Sequence, residues 1–116
     1  MLQTMEQSSG RVLGYKLSGD ITKADIGTLG PVVASLVGQY GSVDLLLDVT
    51  ELHWEKASAL SSDIKLGQEF SGKIGKMAMV SDTKWLKQLA KLAAPFNAKE
   101  FKTFESADDA WDWIKG

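Results

Sequence analysis

Between Gly41-Ser42 and Thr50-Glu51 runs Val43-Asp44-Leu45-Leu46-Leu47-Asp48-Val49, a dense apolar segment bounded by turn residues on both sides. Seven residues are too few for a buried helix, and a near-continuous apolar run of this length is the form of a strand covered on both faces. Such strands belong to parallel sheets with helices above and below. The segment is therefore expected at the centre of the sheet, and the rest of the chain has to supply neighbours for its edges and cover for its faces.

The flanking sequence supplies both. Leu2 to Gln7 and Val12 to Leu17 are short β-type runs separated by Ser8-Ser9-Gly10-Arg11, which is hairpin chemistry and predicts an antiparallel start. From Thr22 to Tyr40, Ile26, Leu29, Val33, Leu36, Val37 and Tyr40 recur at helical spacing, with an interruption or restart expected at Gly30-Pro31. After the central strand, Ala57, Leu60, Ile64 and Gly67 share one helical stripe, and Ser71-Gly72 ends it. Lys76 to Val80 reads as a strand, Lys84 to Ala94 as a helix stopped at Pro95, and Glu100 to Phe104 as a strand. Ser106 then N-caps a last helix to Lys115, with Asp108 and Asp109 in its first turn and Ala107, Ala110, Trp111 and Ile114 facing inward. The predicted order is β-β-α-β-α-β-α-β-α, an α/β fold with a mostly parallel five-stranded sheet and an antiparallel N-terminal hairpin. The 116 residues make one domain, and 44% apolar with 24% charged residues is the balance of a folded globular chain.

Charge and cysteine content exclude several functions. Thirteen basic and fifteen acidic residues give −2, which is unsuited to gripping a phosphate backbone, so nucleic acid is not an expected partner. The chain has no cysteine, hence no disulfide, thiol catalysis or thiolate metal site, as fits a reducing cytosol. No segment has the length of a signal or membrane-spanning core, so a cytoplasmic protein is expected. His53 is the single histidine. A metal site or a serine triad would have to be built on that one imidazole, and neither a metal nor another cofactor is expected. Asp48, His53 and Glu55, with Glu51 beside them, are the least favoured reading, an enzyme; three polar residues in one loop are ordinary, and Asp48 is expected to cap the turn that follows it. No Walker loop, GxGxxG or GxSxG occurs.

The net charge hides an asymmetry. Lys73 to Lys102 holds seven lysines against two acids, a net +5, and leaves −7 for the remainder, where six basic residues meet thirteen acidic ones. On the helix from Lys84 to Ala94, Trp85, Leu86, Leu89, Ala90, Leu92 and Ala93, with Phe96 beyond, form one apolar arc, while Lys84, Lys87 and Lys91 gather opposite. A helix covering a sheet needs such a stripe and a solvated face. The same pattern also suits the boundary of an anionic bilayer, with lysines at the head groups. Trp54 and Trp85 follow the third and fourth strands, at the sheet end where open parallel sheets bind ligands. Trp111 and Trp113 are assigned to packing or to a contact between copies, so a homodimer is among the expectations.

Several strings resemble the SpoIIAA-like family, the STAS and CRAL-TRIO-related group of small bacterial proteins. They are Met77-Ala78-Met79-Val80-Ser81-Asp82-Thr83-Lys84-Trp85, then Leu92-Ala93-Ala94-Pro95-Phe96, and Glu100-Phe101-Lys102-Thr103-Phe104 ahead of Ala110-Trp111. The resemblance extends over essentially the whole chain, with Gly14 to Gly19 similar to the family's second strand and Trp54 in its loop after the central strand. It implies a STAS-type fold without catalytic activity and a role in ligand or membrane association or in regulation. Sporulation antagonists carry an aspartate followed by a phosphorylatable serine after the central strand. Here Asp48 is followed by Val49-Thr50-Glu51, so that motif is not matched.

Two functional expectations follow. The first is a non-enzymatic domain binding a small apolar or amphipathic ligand through Trp54, Trp85, Leu86, Leu89 and Phe96, while Lys84, Lys87 and Lys91 touch an anionic membrane surface on its inner, cytoplasmic face. The second is a protein-interaction module of the anti-sigma-antagonist type, using Thr50, Glu51, Ser58, Ser61 and Ser62.

Overall fold

The apolar run beginning at Val43 lies in the middle of the sheet, as its composition requires. The structure is a computed structural model and describes residues 2–20, 23–52, 71–82, 84, 90 and 93–116. Its elements are β1 (Leu2–Thr4), β2 (Val12–Gly19), α1 (Lys23–Gly27), α2 (Leu29–Tyr40), β3 (Val43–Leu52), β4 (Ile74–Val80), a 3-10 turn Ala94–Phe96, β5 (Glu100–Phe104) and α3 (Ala107–Lys115). The strands stand side by side in sequence order. β1 pairs antiparallel with β2, and the other three pairings are parallel. This is the α/β fold with a mixed five-stranded sheet that the sequence predicts. The predicted helix over 57–70 and most of the one over 84–94 lie outside the described residues.

Alternation along the strands divides the core into two layers. On one face Leu13, Tyr15, Leu17, Val43, Leu45, Leu47, Val49, Met77 and Met79 pack with Leu29 and Val33 of α2 and with Ala93. On the other, Leu46, Ala78 and Val80 pack with Ala110, Trp111 and Ile114 of α3. The α3 stripe is the one read from the sequence. Ser106 caps the helix by accepting the Asp109 N–H, the two aspartates follow in the first turn, and Lys115 sits in the last.

Trp111 sets a sequence requirement on β2. A Cβ at Gly14 would lie 2.5 Å from both Cη2 and Cζ2 of the Trp111 ring, so only glycine lets the indole lie against the strand. Asp44 sets another. It is 4% exposed, pairs with Arg11 at 3.3 Å and accepts the Lys76 N–H at 2.9 Å, joining β3 to the entry of β2 and to β4. A Cβ at Gly75 would stand 2.7 Å from its Oδ1.

The structure places several boundaries differently from the sequence reading, each for a local reason. β1 stops at Thr4 instead of Gln7 because the Gly14 N–H is donated at 2.9 Å to Ser8 Oγ, which takes the chain out of the ladder. The helical break falls at Thr28, ahead of Gly30-Pro31: its N–H and hydroxyl both donate to the Asp25 carbonyl and close a turn. Pro31 then sits in the first turn of α2, where a missing N–H costs nothing. β4 begins at Ile74, ahead of Lys76. β3 continues past Val49 to Leu52, because a register shift in β2 lets Ser18 and Gly19 pair with Glu51 and Leu52.

Candidate binding site at the ends of the parallel strands

β2, β3, β4 and β5 run the same way, so Gly19, Leu52, Val80 and Phe104 all finish at one end of the sheet. In open parallel sheets this is the end at which ligands are held. Two polar groups stand there in different states.

The first is a rim on β2 and β3. Asp48 is buried, and its Oδ1 accepts the Thr50 N–H at 3.1 Å and the Thr50 hydroxyl at 2.7 Å. The expected cap is thus made, but inside a continuing strand rather than in a turn. One residue further, Glu51 meets Lys16 at 2.7 Å. The Lys16 ammonium is held above its ordinary pKa, first by the hydrogen bond to Glu51, then by the charges of Glu51 and Asp48. Thr50 and Glu51 are exposed. Both carboxylates are therefore committed to neighbours on the sheet.

The second is Ser81, immediately beyond β4. Its N–H donates to the Phe104 carbonyl at 2.9 Å and fastens it to β5, and the residue is only 3% exposed. Among the described residues its hydroxyl has no hydrogen-bond partner. Val80 pairs with Asp48, so Ser81 stands just past that level, between the ends of β3 and β5. The sequence offers Ser81 only as part of a resembling string, since burial of a single serine has no local signal.

Of the residues the sequence singles out, Trp54, Trp85, Leu86, Leu89, Lys87, Lys91, Ser58, Ser61, Ser62, His53 and Glu55 lie outside the described residues. Lys84 is exposed. Phe96 is partly buried and packs against the α2-side core, with Ala93 buried in it, whereas Ala90 is exposed. The described end of the apolar arc, Ala93 and Phe96, thus packs against the sheet. Trp113 packs on Phe104, ring centroids 5.7 Å apart, under the Lys76 ammonium, which donates to its carbonyl at 3.2 Å. Among the described residues no three metal-ligating side chains gather, and no helix is long and apolar enough to cross a membrane.

Comparison with known proteins agrees with this architecture. A search of curated proteins finds no match. Among solved structures, the chain is similar to an uncharacterized protein of the DUF3478 family with a SpoIIAA-like fold from Shewanella loihica PV-4. The TM-score is 0.70 at 24% identity, over 98% of this chain and 92% of that one. The profile of the SpoIIAA-like family matches residues 12–115, which span both core layers and the strand ends just described. The chain belongs to the SpoIIAA-like family.

Proposed function

We propose that the chain is a non-enzymatic STAS-type binding domain that takes up a small amphipathic molecule, an apolar body with one hydrogen-bonding group, at the ends of β3 and β4. The observation that carries the reading is the Ser81 hydroxyl, buried and without a partner among the described residues. Leaving such a group unpaired costs about 1–3 kcal/mol, which a ligand atom bonded to it would recover. The absence of catalysis is supported by the commitments of Asp48 to Thr50 and of Glu51 to Lys16. In this reading Trp54, Trp85, Leu86 and Leu89 supply apolar walls and Phe96 the edge of the core. The helix expected from the sequence over 84–94 moves outward to admit the ligand, and Lys84, Lys87 and Lys91 face anionic lipid when it does.

Native mass spectrometry of protein purified from its own cells, followed by denaturing extraction, identifies any small molecule carried along. In parallel, the amphipathic probe anilinonaphthalene sulfonate is titrated into wild type and Ser81→Ala. The variant should bind the probe more weakly while being as stable as wild type or more so. A clean apo mass together with identical probe binding by the two proteins refutes the proposal.

A second reading, docking of a protein partner, is favoured by the exposed Thr50 and Glu51 on the projecting end of β3. It extends to Ser58, Ser61 and Ser62. A stoichiometric partner whose binding is lost in Glu51→Lys and kept in Ser81→Ala selects it over the first.

A further inference from the structure

The sheet ends in two unlike edges. β1 is three residues long, whereas β5 is five, and its Glu100, Phe101 and Lys102 are all exposed. Phe101 is among the large apolar side chains in solvent, at 39%. A regular exposed edge presents unpaired N–H and C=O groups to any strand of matching length.

Hydrogen bonding within the sheet says which groups those are. Phe104 accepts the Ser81 N–H, and Val80 is its register partner. In a parallel ladder a residue directs its N–H and C=O to the same side, and the side alternates along the strand. Glu100, Lys102 and Phe104 therefore bond inward to β4. Phe101 and Thr103 direct their backbone groups outward. A second β5 placed antiparallel about a two-fold axis through Phe101 matches the Phe101 groups, while Thr103 falls opposite Lys99, whose N–H is already donated to the Ile74 carbonyl within its own chain. Phe101 exchanges both hydrogen bonds with its own copy, and Glu100 faces Lys102 of the other chain on each side of the axis, in the closer pairs with Cα atoms about 4.5 Å apart. Opposite charges in directly facing pairs attract. Other two-fold registers lack this match: centring on Lys102 sets lysine against lysine, and centring on Thr103 sets Lys102 against Phe104. Among the described residues neither Glu100 nor Lys102 forms an ion pair, and the Lys102 ammonium lies over the Phe104 ring at 5.4 Å.

We infer that β5 is a self-association edge. Two copies join β5 to β5 antiparallel, in the register centred on Phe101, forming one continuous ten-stranded sheet closed by two Glu100–Lys102 pairs. A five-residue seam is small beside standard interfaces, so the dimer is concentration-dependent.

Sedimentation velocity over a concentration series reads the mass between 12.6 kDa and twice that value. Glu100→Lys and Lys102→Glu each replace two attractions by two repulsions and should raise the dimer dissociation constant roughly tenfold. The double exchange, Glu100→Lys with Lys102→Glu, should return it to within about twofold of wild type. Circular dichroism confirms that each variant is folded. The register is read separately. The chain has no cysteine, so Phe101→Cys, whose Cα atoms would stand about 5.5 Å apart across the axis, should form a disulfide dimer under oxidised glutathione, and Thr103→Cys should not. A wild-type protein that stays monomeric throughout, single variants that leave the dimer unchanged, a double exchange that fails to restore it, or preferential cross-linking through Thr103→Cys overturns the inference.

Discussion

Adding one methyl group at Gly14 tests the packing of the α3 layer. Its Cβ would stand 2.5 Å from Cη2 and Cζ2 of Trp111, against about 3.5–4.0 Å for an ordinary carbon contact. The ring must retreat by about 1 Å or more. Trp111 is 5% exposed and shares its layer with Leu46, Ala78, Val80 and Ile114, so there is little space to retreat into. Overpacking of this kind costs about 1–3 kcal/mol. Alanine is about 0.5–1 kcal/mol better than glycine inside a strand, which from the middle of both ranges leaves a net loss of about 1 kcal/mol, and at most about 2.5 kcal/mol, for Gly14→Ala. At roughly 4 °C per kcal/mol the melting temperature should fall by about 4 °C, and by no more than about 10 °C. The decisive measurement is a double-mutant cycle with Trp111→Phe, which removes the ring carrying both clashing atoms. That change leaves a void but also deletes an indole N–H that is buried without a partner. In the Trp111→Phe background, Gly14→Ala should be neutral or stabilising, giving a coupling of about 1 kcal/mol or more from urea unfolding followed by circular dichroism. Additivity to within about 0.5 kcal/mol would show that the indole does not explain the glycine.

Two further predictions use the same assay. Asp44→Ala leaves the Lys76 N–H unpaired and removes the carboxylate facing Arg11, and should cost about 1–3 kcal/mol, whereas Asp44→Asn, which keeps an acceptor for that N–H, should cost less; equal losses would argue against the backbone bond as the main contribution. Stability should also decline in alkali. Burial raises the Tyr15 pKa above 10.0, partly opposed by its hydrogen bond with Thr4, and Glu51 raises that of Lys16 above 10.5. Raised folded-state values mean that both contributions are complete below those ordinary values and are lost as pH climbs through the folded ones. Tyr15→Phe should flatten the decline above about pH 10, and an unchanged slope there would contradict the assignment.

The sequence was informative wherever one element alone determined the pattern. β5 and α3 appear at the predicted residues because alternation, a serine cap and an inward stripe are local signals. β3 was recognised as central but read too short. Thr50 and Glu51 have turn composition, and it is pairing of Glu51 and Leu52 with Ser18 and Gly19 of β2, together with the Asp48 carboxylate on Thr50 and Lys16 on Glu51, that keeps them in a strand. Asp44 was hidden for a related reason: inside an apolar run it looks like one polar position among many, while its partners Arg11 and Lys76 come from other strands. For the candidate site, strand order in the sequence points to the end of the sheet at which Ser81 lies. It did not single out Ser81, whose backbone is fastened to β5 and whose burial is a property of the assembled sheet.

The contact of Trp111 with Gly14 also bears on how the chain reaches its fold. Strands laid down in sequence order need only neighbours already made, so the sheet can grow by successive additions. The indole instead reaches back across the sheet to a strand formed from the beginning of the sequence, a closure spanning almost all of the described residues. Loop entropy weights such a closure against early formation. Seating of Trp111 on β2 is thus a late folding event, and until it occurs the β2 end of the face under α3, with Met5 and Val12, remains open to solvent and to chaperones.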